Sequence, residues 1–475
     1  MLDRKHFRRD SQSIIKWIDQ YLKEIEKYPV KSTVTPGNIK GQIPKKMPDK
    51  GEDLSAIMKD FEDIILPGIT HWQHPNFHAY FNANSSIESI LGELLTAALG
   101  AQCMIWETSP AAAQLEERMM DWFKQAFGLP RDWEGVIQDT ASTATLCSIL
   151  TAREVATNWT ANDVGVPNNL RIYCSTETHS SIEKAAAIAG IGRKNVIKIK
   201  TDHQYRLDAR LLNEMIVRDK ENGYKPIAVV ATLGTTGLMA IDSLEAIGPV
   251  CKEHQVWLHV DAAYAGSALF LPEYKWMIDG IGLADSFVFN PHKWLFTNFD
   301  CTAYFVQRAD LLIRTFEILP EYLKTKSRGQ VNDYRDWGIQ LGRRFRALKL
   351  WLVLRSYGLQ GVREKMRNQI KLSQKLVAWI INHQHLELMS TPILNFCSFR
   401  INPSGKEMSQ SQLNDLNEEF LHIINSGGEV FLSHTKVEDK FVIRVVMGQT
   451  YFAEKDLKKL IKVLSTQMDR TLGGR

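Results

Sequence analysis

Short apolar runs alternate with helical patterns through the middle of the chain. Five runs have the length and residue types of buried strands: Gly135–Gln138, Arg171–Ser175, Ile227–Leu233, Val256–Val260 and Ser286–Asn290. Helical spacing of apolar residues follows three of them, at Thr143–Thr157, Ser181–Ala189 and Ser243–His254. Because strands that alternate with helices build parallel sheets, the pattern predicts an α/β fold with a mostly parallel central sheet. Ligands of such sheets bind at the carboxyl ends of the strands.

The pattern changes towards both ends of the chain. An amphipathic helix at Ser11–Tyr28 precedes an arm rich in Pro, Gly and Lys at Pro29–Asp49, which we expect to lie across another subunit. The C-terminal part predicts strands at Ile393–Ile401 and Lys440–Met447 and a final helix at Ala453–Met468. We therefore expect a helical dimerisation arm at residues 1–85, a large α/β domain at 86–362 and a small α+β domain at 363–475.

Composition and charge narrow the classes of function. Of the 475 residues, 44% are hydrophobic and 24% are charged, which is ordinary for a globular protein. The net charge of +4 is small for this length and favours neither nucleic acid nor an anionic membrane as a partner. The apolar runs are too short to cross a bilayer, the first ten residues are dense in charge, and the six cysteines are scattered. We expect a cytoplasmic protein with reduced thiols.

One lysine and one aspartate stand at the ends of two predicted strands. Lys293 lies in Asn290–Trp294 with apolar residues on both sides, so the sequence predicts a buried amine, although most lysines are on the surface. A partly desolvated lysine can lose its proton near neutral pH and form an imine with an aldehyde. Asp261 directly follows Val256–Val260, where a carboxylate either caps a loop or meets a cation. Together the two residues match the needs of pyridoxal 5′-phosphate (PLP), a lysine for its aldehyde and a carboxylate for its ring nitrogen.

Weaker signals follow other predicted strands. His179 lies between a strand and a helix, where it either stands beside a helix cap or lies against a bound ring. Ala141 and Ser142 open a helix, so they either form an ordinary N-cap or bind a phosphate through backbone N–H groups. Thr235 and Thr236 have the same two interpretations.

Three histidines, His71, His74 and His78, have a spacing that could suggest a metal site. A proline and two aromatic residues interrupt the run, and no carboxylate or thiol completes a ligand set. We expect no metal here, and favour a pocket wall or a subunit contact.

The motifs of the chain, taken in order, resemble those of group II PLP-dependent decarboxylases, and among these the aromatic L-amino acid decarboxylases. The resemblance runs nearly from end to end and includes these segments: Phe7–Arg9, Pro67–Trp72, Ser109–Glu116, Met119–Trp122, Leu258–Gly266, Phe289–Trp294, Asp333–Trp337 and Gly342–Arg346. It implies PLP fold type I, the aspartate-aminotransferase-like architecture, with the large domain binding PLP. It also implies a homodimer with active sites at the subunit interface, and conversion of an aromatic L-amino acid to its amine and carbon dioxide.

The resemblance assigns roles to individual positions. Lys293 would be the Schiff-base lysine, Asp261 the partner of the pyridinium nitrogen and His179 the histidine that stacks on the ring. The remaining positions would bind the phosphate (Ala141, Ser142, Asn290), make further cofactor contacts (Thr236, Ala263, His292) or form walls of the substrate pocket (Trp72, Tyr80, Phe81).

Tyr334 matches a tyrosine on a mobile loop that, in such enzymes, returns a proton to the substrate Cα after carbon dioxide leaves. The loop would be roughly Leu319–Trp337, whose polar residues suit a lid that orders over substrate. The alternative is a packed aromatic residue near the start of a helix.

Several positions depart from the family pattern. Phe81–Ala83 reads Phe-Asn-Ala where Phe-Pro-Thr is common, and Gln102–Met104 replaces a more aromatic segment, so the role of Met104 in the substrate pocket is open. Asp139–Thr143 replaces Gly-Ser-Ala-Ser-Glu, and its extra carboxylate is not expected to face the phosphate. Gly342, in a segment that borders the pocket in related enzymes, would leave room for a large ring such as indole.

Three other functions stay open. An aromatic aldehyde synthase on the same scaffold would combine decarboxylation with oxidative deamination, and Tyr334 and His179 argue against it. A fold-type-I aminotransferase would need an arginine for the α-carboxylate, and Arg444 either serves or belongs to a structural ion pair. The third alternative is a cofactor-free protein whose basic helices bind a partner, and such a protein would lack the yellow colour of bound PLP.

Overall fold

The computed structural model describes residues 4–318, 330–405 and 407–473. The described chain forms two compact units. One contains the described residues up to Asn82, Lys375–Met389 and the chain from Phe399 onward, and the other contains Ala83–Gln374 and Ser390–Ser398. The division into segments 1–85, 86–362 and 363–475 stays a prediction.

The described residues contain helices, numbered α1 to α15 in chain order, and strands, numbered β1 to β11. The helices are Arg4–Glu24, Asn38–Gln42, Leu54–Asp60, Ile87–Leu99, Pro110–Phe127, Ala141–Ala156, Ala161–Val164, Ser181–Ile188, Ala209–Glu221, Leu244–His254, Pro291–Trp294, Ala309–Phe316, Arg346–Ile381, Gln410–Ser426 and Glu454–Gly473. The strands are Glu134–Gln138, Leu170–Ser175, Val196–Ile199, Lys225–Thr232, Trp257–Asp261, Ser286–Phe289, Thr302–Val306, Leu386–Leu388, Phe396–Ile401, Ser433–Val437 and Lys440–Val446.

The large sheet has the order β1-β7-β6-β5-β4-β2-β3 within the described residues. The neighbours from β6 to β3 pair in parallel, whereas β7 runs antiparallel to both β6 and β1. The sequence prediction of an α/β fold with a mostly parallel sheet is confirmed. The apolar pattern did not predict β3 and β7 of this sheet, nor β8 and β10 elsewhere in the described residues.

The register of the sheet brings several strand ends to one edge. Asp261, the last residue of β5, lies opposite Thr232 of β4 and Val288 of β6. Gln138, the last residue of β1, lies opposite Thr302, the first residue of β7. Side chains that follow these strands therefore share one edge, as expected for the carboxyl ends of parallel strands.

One face of the large sheet packs against α6 and α8. Ile149 of α6 and Ile182 of α8 are fully buried against Ile172 of β2 and Val230 of β4. Full burial of each such side chain stabilises the fold by about 1.5–3 kcal/mol. This packing fixes α6, whose first turn points to the edge where the strands end.

The small sheet has the order β10-β11-β9-β8 among the described residues. Glu438 and Asp439 join β10 to β11 with φ angles of 48° and 63°, as a two-residue hairpin turn requires. None of the described helices is both long and apolar enough to cross a bilayer.

One sequence prediction differs in detail from the structure, and another lies partly outside the described residues. The arm Pro29–Asp49 contains a short helix, α2, that the extended pattern did not predict. The predicted lid Leu319–Trp337 begins outside the described residues, which resume at Gln330 and form a 3-10 helix at Tyr334–Trp337.

Candidate active site

Lys293 lies in the short helix α11, directly after β6. Pro291 occupies the first turn, where its fixed φ favours the helix and its missing N–H costs nothing. The backbone N–H of Lys293 donates to the carbonyl of Asn290 at 2.9 Å. Lys293 is half-buried, less than the sequence predicted, while its neighbours His292 and Trp294 are buried.

Asp261 ends β5 with its carboxylate buried. Oδ1 accepts a hydrogen bond of 3.0 Å from the N–H of Ala263, and the carbonyl of Asp261 accepts one of 2.8 Å from the N–H of Leu233. Within the described residues no ion pair involves Asp261. A buried carboxylate without a cationic side-chain partner suits a cationic ligand, because an unpaired buried charge is costly.

His179 is exposed and stands near both residues. Its Nδ1 accepts the N–H of Ser181 at 3.2 Å, so the proton of the neutral ring lies on Nε2. The pKa of His179 is lowered, mainly by partial desolvation; the charge of Lys293 lowers it further and that of Asp261 raises it. The structure thus brings together the three residues that the sequence singled out as Schiff-base lysine, pyridinium partner and stacking histidine.

The first turn of α6 begins at the same edge. The hydroxyl of Thr140 caps the helix by accepting the N–H of Thr143. The N–H groups of Ala141 and Ser142 belong to the first turn of a 16-residue helix, where N–H groups have no partner within the helix and the dipole favours an anion. This end of α6 is a suitable place for a phosphate.

Asn290 connects the lysine helix to the start of α6. The hydroxyl of Thr302 lies 2.8 Å from Oδ1 of buried Asn290 and 3.1 Å from the carbonyl of Asp139. The N–H of Asn290 donates to the carbonyl of Ala263 at 3.0 Å. Three predicted cofactor-binding segments are therefore joined by hydrogen bonds.

His292 and Thr236, two predicted cofactor contacts, differ in burial and in the kind of segment that carries them. Nδ1 of His292 accepts the N–H of Cys301 at 2.9 Å, and its ring lies 4.7 Å from that of Phe299. Burial lowers the pKa of His292 to about 3. Thr236 is half-buried in the loop after β4. Their roles as cofactor contacts, like that of Ala263, stay predictions.

Tyr334 is a core residue in the structure. Its ring is 2% exposed, lies 5.4 Å from the ring of Trp337 and has the guanidinium of Arg343 4.8 Å away. Burial raises the pKa of Tyr334 well above its usual value, and Glu116 raises it further. This is the packed aromatic residue that the sequence left as the alternative. The proton-donor role stays a prediction, and burial of the hydroxyl weighs against it.

Two predicted pocket residues lie in the same compact unit as Lys293. Met104 is half-buried, and its carbonyl accepts the N–H of Arg335 at 2.9 Å. Gly342 is exposed, and a Cβ at this position would lie 3.2 Å from Nε2 of Gln102. Oε1 of Gln102 accepts the N–H of Arg343 at 2.8 Å, so this glutamine is fixed beside Gly342.

The aromatic residues predicted for the pocket wall belong to the other unit. The rings of Trp72 and Tyr80 stack at 5.8 Å with an interplanar angle of 20°. The guanidinium of Arg444 lies 5.4 Å from the ring of Phe81 and donates to the hydroxyl of Ser433 at 2.8 Å. Arg444 is buried and has these partners inside its own unit. Both of its alternative roles, binding an α-carboxylate or joining a structural ion pair, stay predictions.

The histidines that suggested a metal site each contact the protein. Nδ1 of His71 lies 2.7 Å from the hydroxyl of Tyr21, and Nδ1 of His78 lies 2.9 Å from the carbonyl of Val446. Nδ1 of His74 accepts the N–H of Asn76 at 3.0 Å. In each of the three rings, Nδ1 therefore has a partner within the same unit.

The residues at the edge of the large sheet fit PLP. A buried carboxylate, a half-buried lysine and the first turn of α6 supply the three kinds of group that the ring nitrogen, the aldehyde and the phosphate need. Sequence reasoning did not find Thr302 or Asn84. Thr302 begins a strand that the pattern missed, and Asn84 bonds to Lys293 across 209 positions of sequence, so no local pattern indicated it.

Comparisons with known proteins agree with this chemistry. A family model described as the pyridoxal-dependent decarboxylase conserved domain matches residues 36–402. A tyrosine decarboxylase of Papaver somniferum is 37% identical over 494 residues, covering 99% of this chain and 96% of the relative. A phenylacetaldehyde synthase of Arabidopsis thaliana is 39% identical over 477 residues, covering 98% of this chain and 96% of the relative.

A solved structure has the same architecture. The crystal structure of Oryza sativa TDC with PLP and tryptamine aligns with a TM-score of 0.96 at 31% identity and covers 99% of each chain. Its similarity extends to both ends of the chain.

Proposed function

Because the chain belongs to the pyridoxal-dependent decarboxylase family, we propose that it removes carbon dioxide from an aromatic L-amino acid and releases the corresponding amine. PLP is the cofactor of this family. The observation that carries the proposal is the meeting of Lys293, Asp261 and His179, whose charges act on one another at the edge of the large sheet. The aromatic substrate class is supported by relatives named for tyrosine and by the similar structure that contains tryptamine.

Each of these residues has a part in the proposed reaction. Lys293 would hold PLP covalently, Asp261 would pair with its ring nitrogen, and the N–H groups at the start of α6 would bind its phosphate. When bound, PLP supplies an electron sink for the electrons left at Cα as carbon dioxide departs. The buried carboxylate of Asp261 would favour protonation of the ring nitrogen, since an opposite charge stabilises the cation.

His179 is the group that we propose to handle a proton near the substrate. Its Nδ1 is occupied by the N–H of Ser181, so Nε2 carries the proton of the neutral ring. The lowered pKa of His179 keeps that ring neutral at physiological pH. The exposed Nε2–H of the neutral ring can donate a hydrogen bond to a group bound near Cα, and the ring can give up a proton there only after it has first taken one up.

We further propose that the enzyme is a homodimer with active sites at the subunit interface. Helix α4 presents an exposed apolar stripe on one face, made of Ile87, Leu91, Leu94, Leu95 and Leu99. Exposed apolar patches rimmed by polar residues mark association surfaces. The stripe directly follows Asn84, which contacts Lys293, so association would occur next to the site.

We propose the preferred side chain of the substrate from the position of Gly342. A residue without a side chain beside the fixed carboxamide of Gln102 leaves room for indole, and we expect tryptophan among the substrates. A screen of amine release over tyrosine, phenylalanine, tryptophan, dopa, histidine and glutamate measures the preference. Release from glutamate alone would contradict the aromatic class.

The covalent role of Lys293 is tested with a matched pair of variants. Lys293→Ala should lose the visible absorbance of bound PLP and all amine release, and borohydride followed by peptide mapping should find the reduced adduct at Lys293 in the unchanged enzyme. Lys198→Ala is the control, since Lys198 is also half-buried and also acts on the charge of His179. Activity in Lys293→Ala would refute the assignment.

A second function, aldehyde synthesis, is favoured by one observation. The phenylacetaldehyde synthase of Arabidopsis thaliana is 39% identical to this chain, slightly more than the tyrosine decarboxylase at 37%. Stoichiometric peroxide and ammonia alongside carbon dioxide would establish this function. Amine without peroxide would establish the decarboxylase.

A cytoplasmic location is proposed from the thiols. All six cysteines are free and buried, as expected where disulfides do not form. This location is tested by fractionation of cells that express the chain.

A further inference from the structure

Helix α11 is too short to fix Lys293 by itself. A four-residue helix leaves most of its carbonyl groups without a partner four positions further on. The direction in which Lys293 extends therefore depends on groups outside the helix that hold its peptide units. Small errors of position at a reacting group are costly, since about 1 Å can cost roughly 100-fold in rate.

Asn84 supplies two of these outside contacts. Its backbone N–H donates to the carbonyl of His292 at 2.9 Å, and its side-chain Nδ2 donates to the carbonyl of Lys293 at 2.5 Å. Two consecutive carbonyl groups, including that of the lysine itself, are thus held by one residue. Asn84 is 2% exposed, so water does not compete freely for these bonds.

The segment that carries Asn84 is itself held in place. Ser86 caps α4, with a reciprocal pair of hydrogen bonds between Ser86 and Ser89. The hydroxyl of Ser89 also accepts the N–H of Asn298 at 3.2 Å. Residues 84–89 therefore contact the chain on both sides of Lys293, at 292–293 and at 298.

From this geometry we infer that Asn84 is a positioning residue for Lys293. It fixes the peptide of the lysine through its carboxamide and so sets the orientation of the amine towards PLP. The inference rests on the proposed function, because it concerns the lysine that would carry the cofactor. The inference assigns Asn84 a role that it exercises through the peptide of Lys293.

The consequence is measurable on the Lys293–PLP linkage. Without the carboxamide, the carbonyl of Lys293 loses the hydrogen bond from Asn84 Nδ2, so the orientation of this peptide is held less tightly. We expect Asn84→Ala to slow attachment of added PLP to apoenzyme roughly tenfold or more. The pH at which the visible absorbance of attached PLP changes should also shift by half a unit or more, since the linkage then lies differently relative to Asp261.

Asn84→Asp makes the test specific for the donor. The carboxylate has nearly the same shape, but when ionised it has no hydrogen to donate to the Lys293 carbonyl. It should behave like Asn84→Ala at pH 8 and recover attachment towards pH 5, where a protonated carboxyl can donate. A residue with only a structural role would show no such recovery.

Asn417→Ala is the matched control. Asn417 is also buried, and its Nδ2 also donates to backbone carbonyls, those of Ile401 and Leu413, at 2.9 and 2.8 Å. It should lower the unfolding temperature without changing attachment rate or the absorbance transition. The inference is overturned if Asn84→Ala and Asn84→Asp both attach PLP at a rate within twofold of the unchanged enzyme and both show the absorbance transition within 0.2 pH units of it.

Borohydride mapping of the unchanged enzyme separates the two possible failures. An adduct at Lys293 together with normal Asn84 variants would remove only the positioning role. An unmodified Lys293 in PLP-loaded enzyme would remove the proposed function itself.

Discussion

Nε2 of Gln340 donates a hydrogen bond of 3.1 Å to Oδ2 of Asp139, while Oδ1 of the same carboxylate accepts the N–H of Thr140. Both oxygens of Asp139 are therefore engaged just before the first turn of α6, where we propose that the phosphate binds. Gln340 lies 201 positions away, close in sequence to Gly342. The pair explains how an extra carboxylate can be tolerated beside an anion site, because its oxygens are turned towards donors of the protein.

We predict that Gln340→Ala weakens PLP binding. A carboxylate released towards the phosphate would cost about 1 kcal/mol in partly exposed surroundings, which is roughly a fivefold rise in the Kd for PLP. Fluorescence titration of apoenzyme measures it. The double variant Gln340→Ala, Asp139→Asn should restore binding, because it removes the charge. A double variant as weak as the single one would show that Gln340 acts in some other way.

The apolar stripe on α4 leads to a prediction about assembly. Leu91 and Leu95 are 46% and 50% exposed and lie one turn apart. Leu91→Glu with Leu95→Glu should give a monomer by light scattering, since two charges cannot be buried in an apolar contact. Amine formation should fall at least tenfold if the active sites need both subunits.

Ile188→Glu is the control for this surface. Ile188 is 61% exposed at the end of α8, a different helix from the one that carries the stripe. Ile188→Glu should leave the mass measured by light scattering and the rate of amine formation unchanged. A double variant that stays dimeric would place the subunit contact on another surface.

The burial of Tyr334 leads to a prediction about proton return. Tyr334→Phe keeps the ring in its cluster, so we expect amine formation within about twofold of the unchanged enzyme and no peroxide. Tyr334→Ala should destabilise the fold by about 3–5 kcal/mol, the range for loss of a buried aromatic ring. Peroxide from Tyr334→Phe would instead support the role that the resemblance assigned.

Tyr322→Phe is the informative comparison for proton return. Tyr322 is the other tyrosine in the predicted lid Leu319–Trp337 and lies outside the described residues. If the lid supplies the proton, this variant should divert product from amine to aldehyde and peroxide. If neither tyrosine matters, His179 is the remaining proposed donor.

The sequence predicted the sheet, and the positions of Asp261 and Lys293 after its strands, for a physical reason. Asp261 and Lys293 each follow an apolar run, so their positions at strand ends were visible locally. The partners of these residues were not visible. Thr302 begins an antiparallel strand that the apolar pattern did not predict, and Asn84 reaches Lys293 from 209 positions away.

The burial of Tyr334 was not visible in the sequence. The predicted lid Leu319–Trp337 is rich in polar residues, which suggested a loop that orders over substrate. The structure buries the tyrosine against Arg343 and Trp337. Motif resemblance located the segment, but only tertiary packing decides whether a side chain in it faces solvent.

Buried histidines predict a loss of stability in mild acid. Burial lowers the pKa of His74, His78 and His259 to about 4. Each resists protonation when folded but binds a proton near pH 6.5 when unfolded, so stability present above pH 6.5 is lost as pH falls towards 4. One such histidine lowers the free energy of unfolding by at most about 1.4 kcal/mol per pH unit.

His78→Asn tests this origin of the acid sensitivity. The asparagine can still donate to the Val446 carbonyl, so the variant should flatten the fall of the urea midpoint between pH 6.5 and 5.0. His203→Asn, at an exposed position, should leave this fall unchanged. Equal pH slopes of the urea midpoint in the two variants would show that burial of His78 is not the cause.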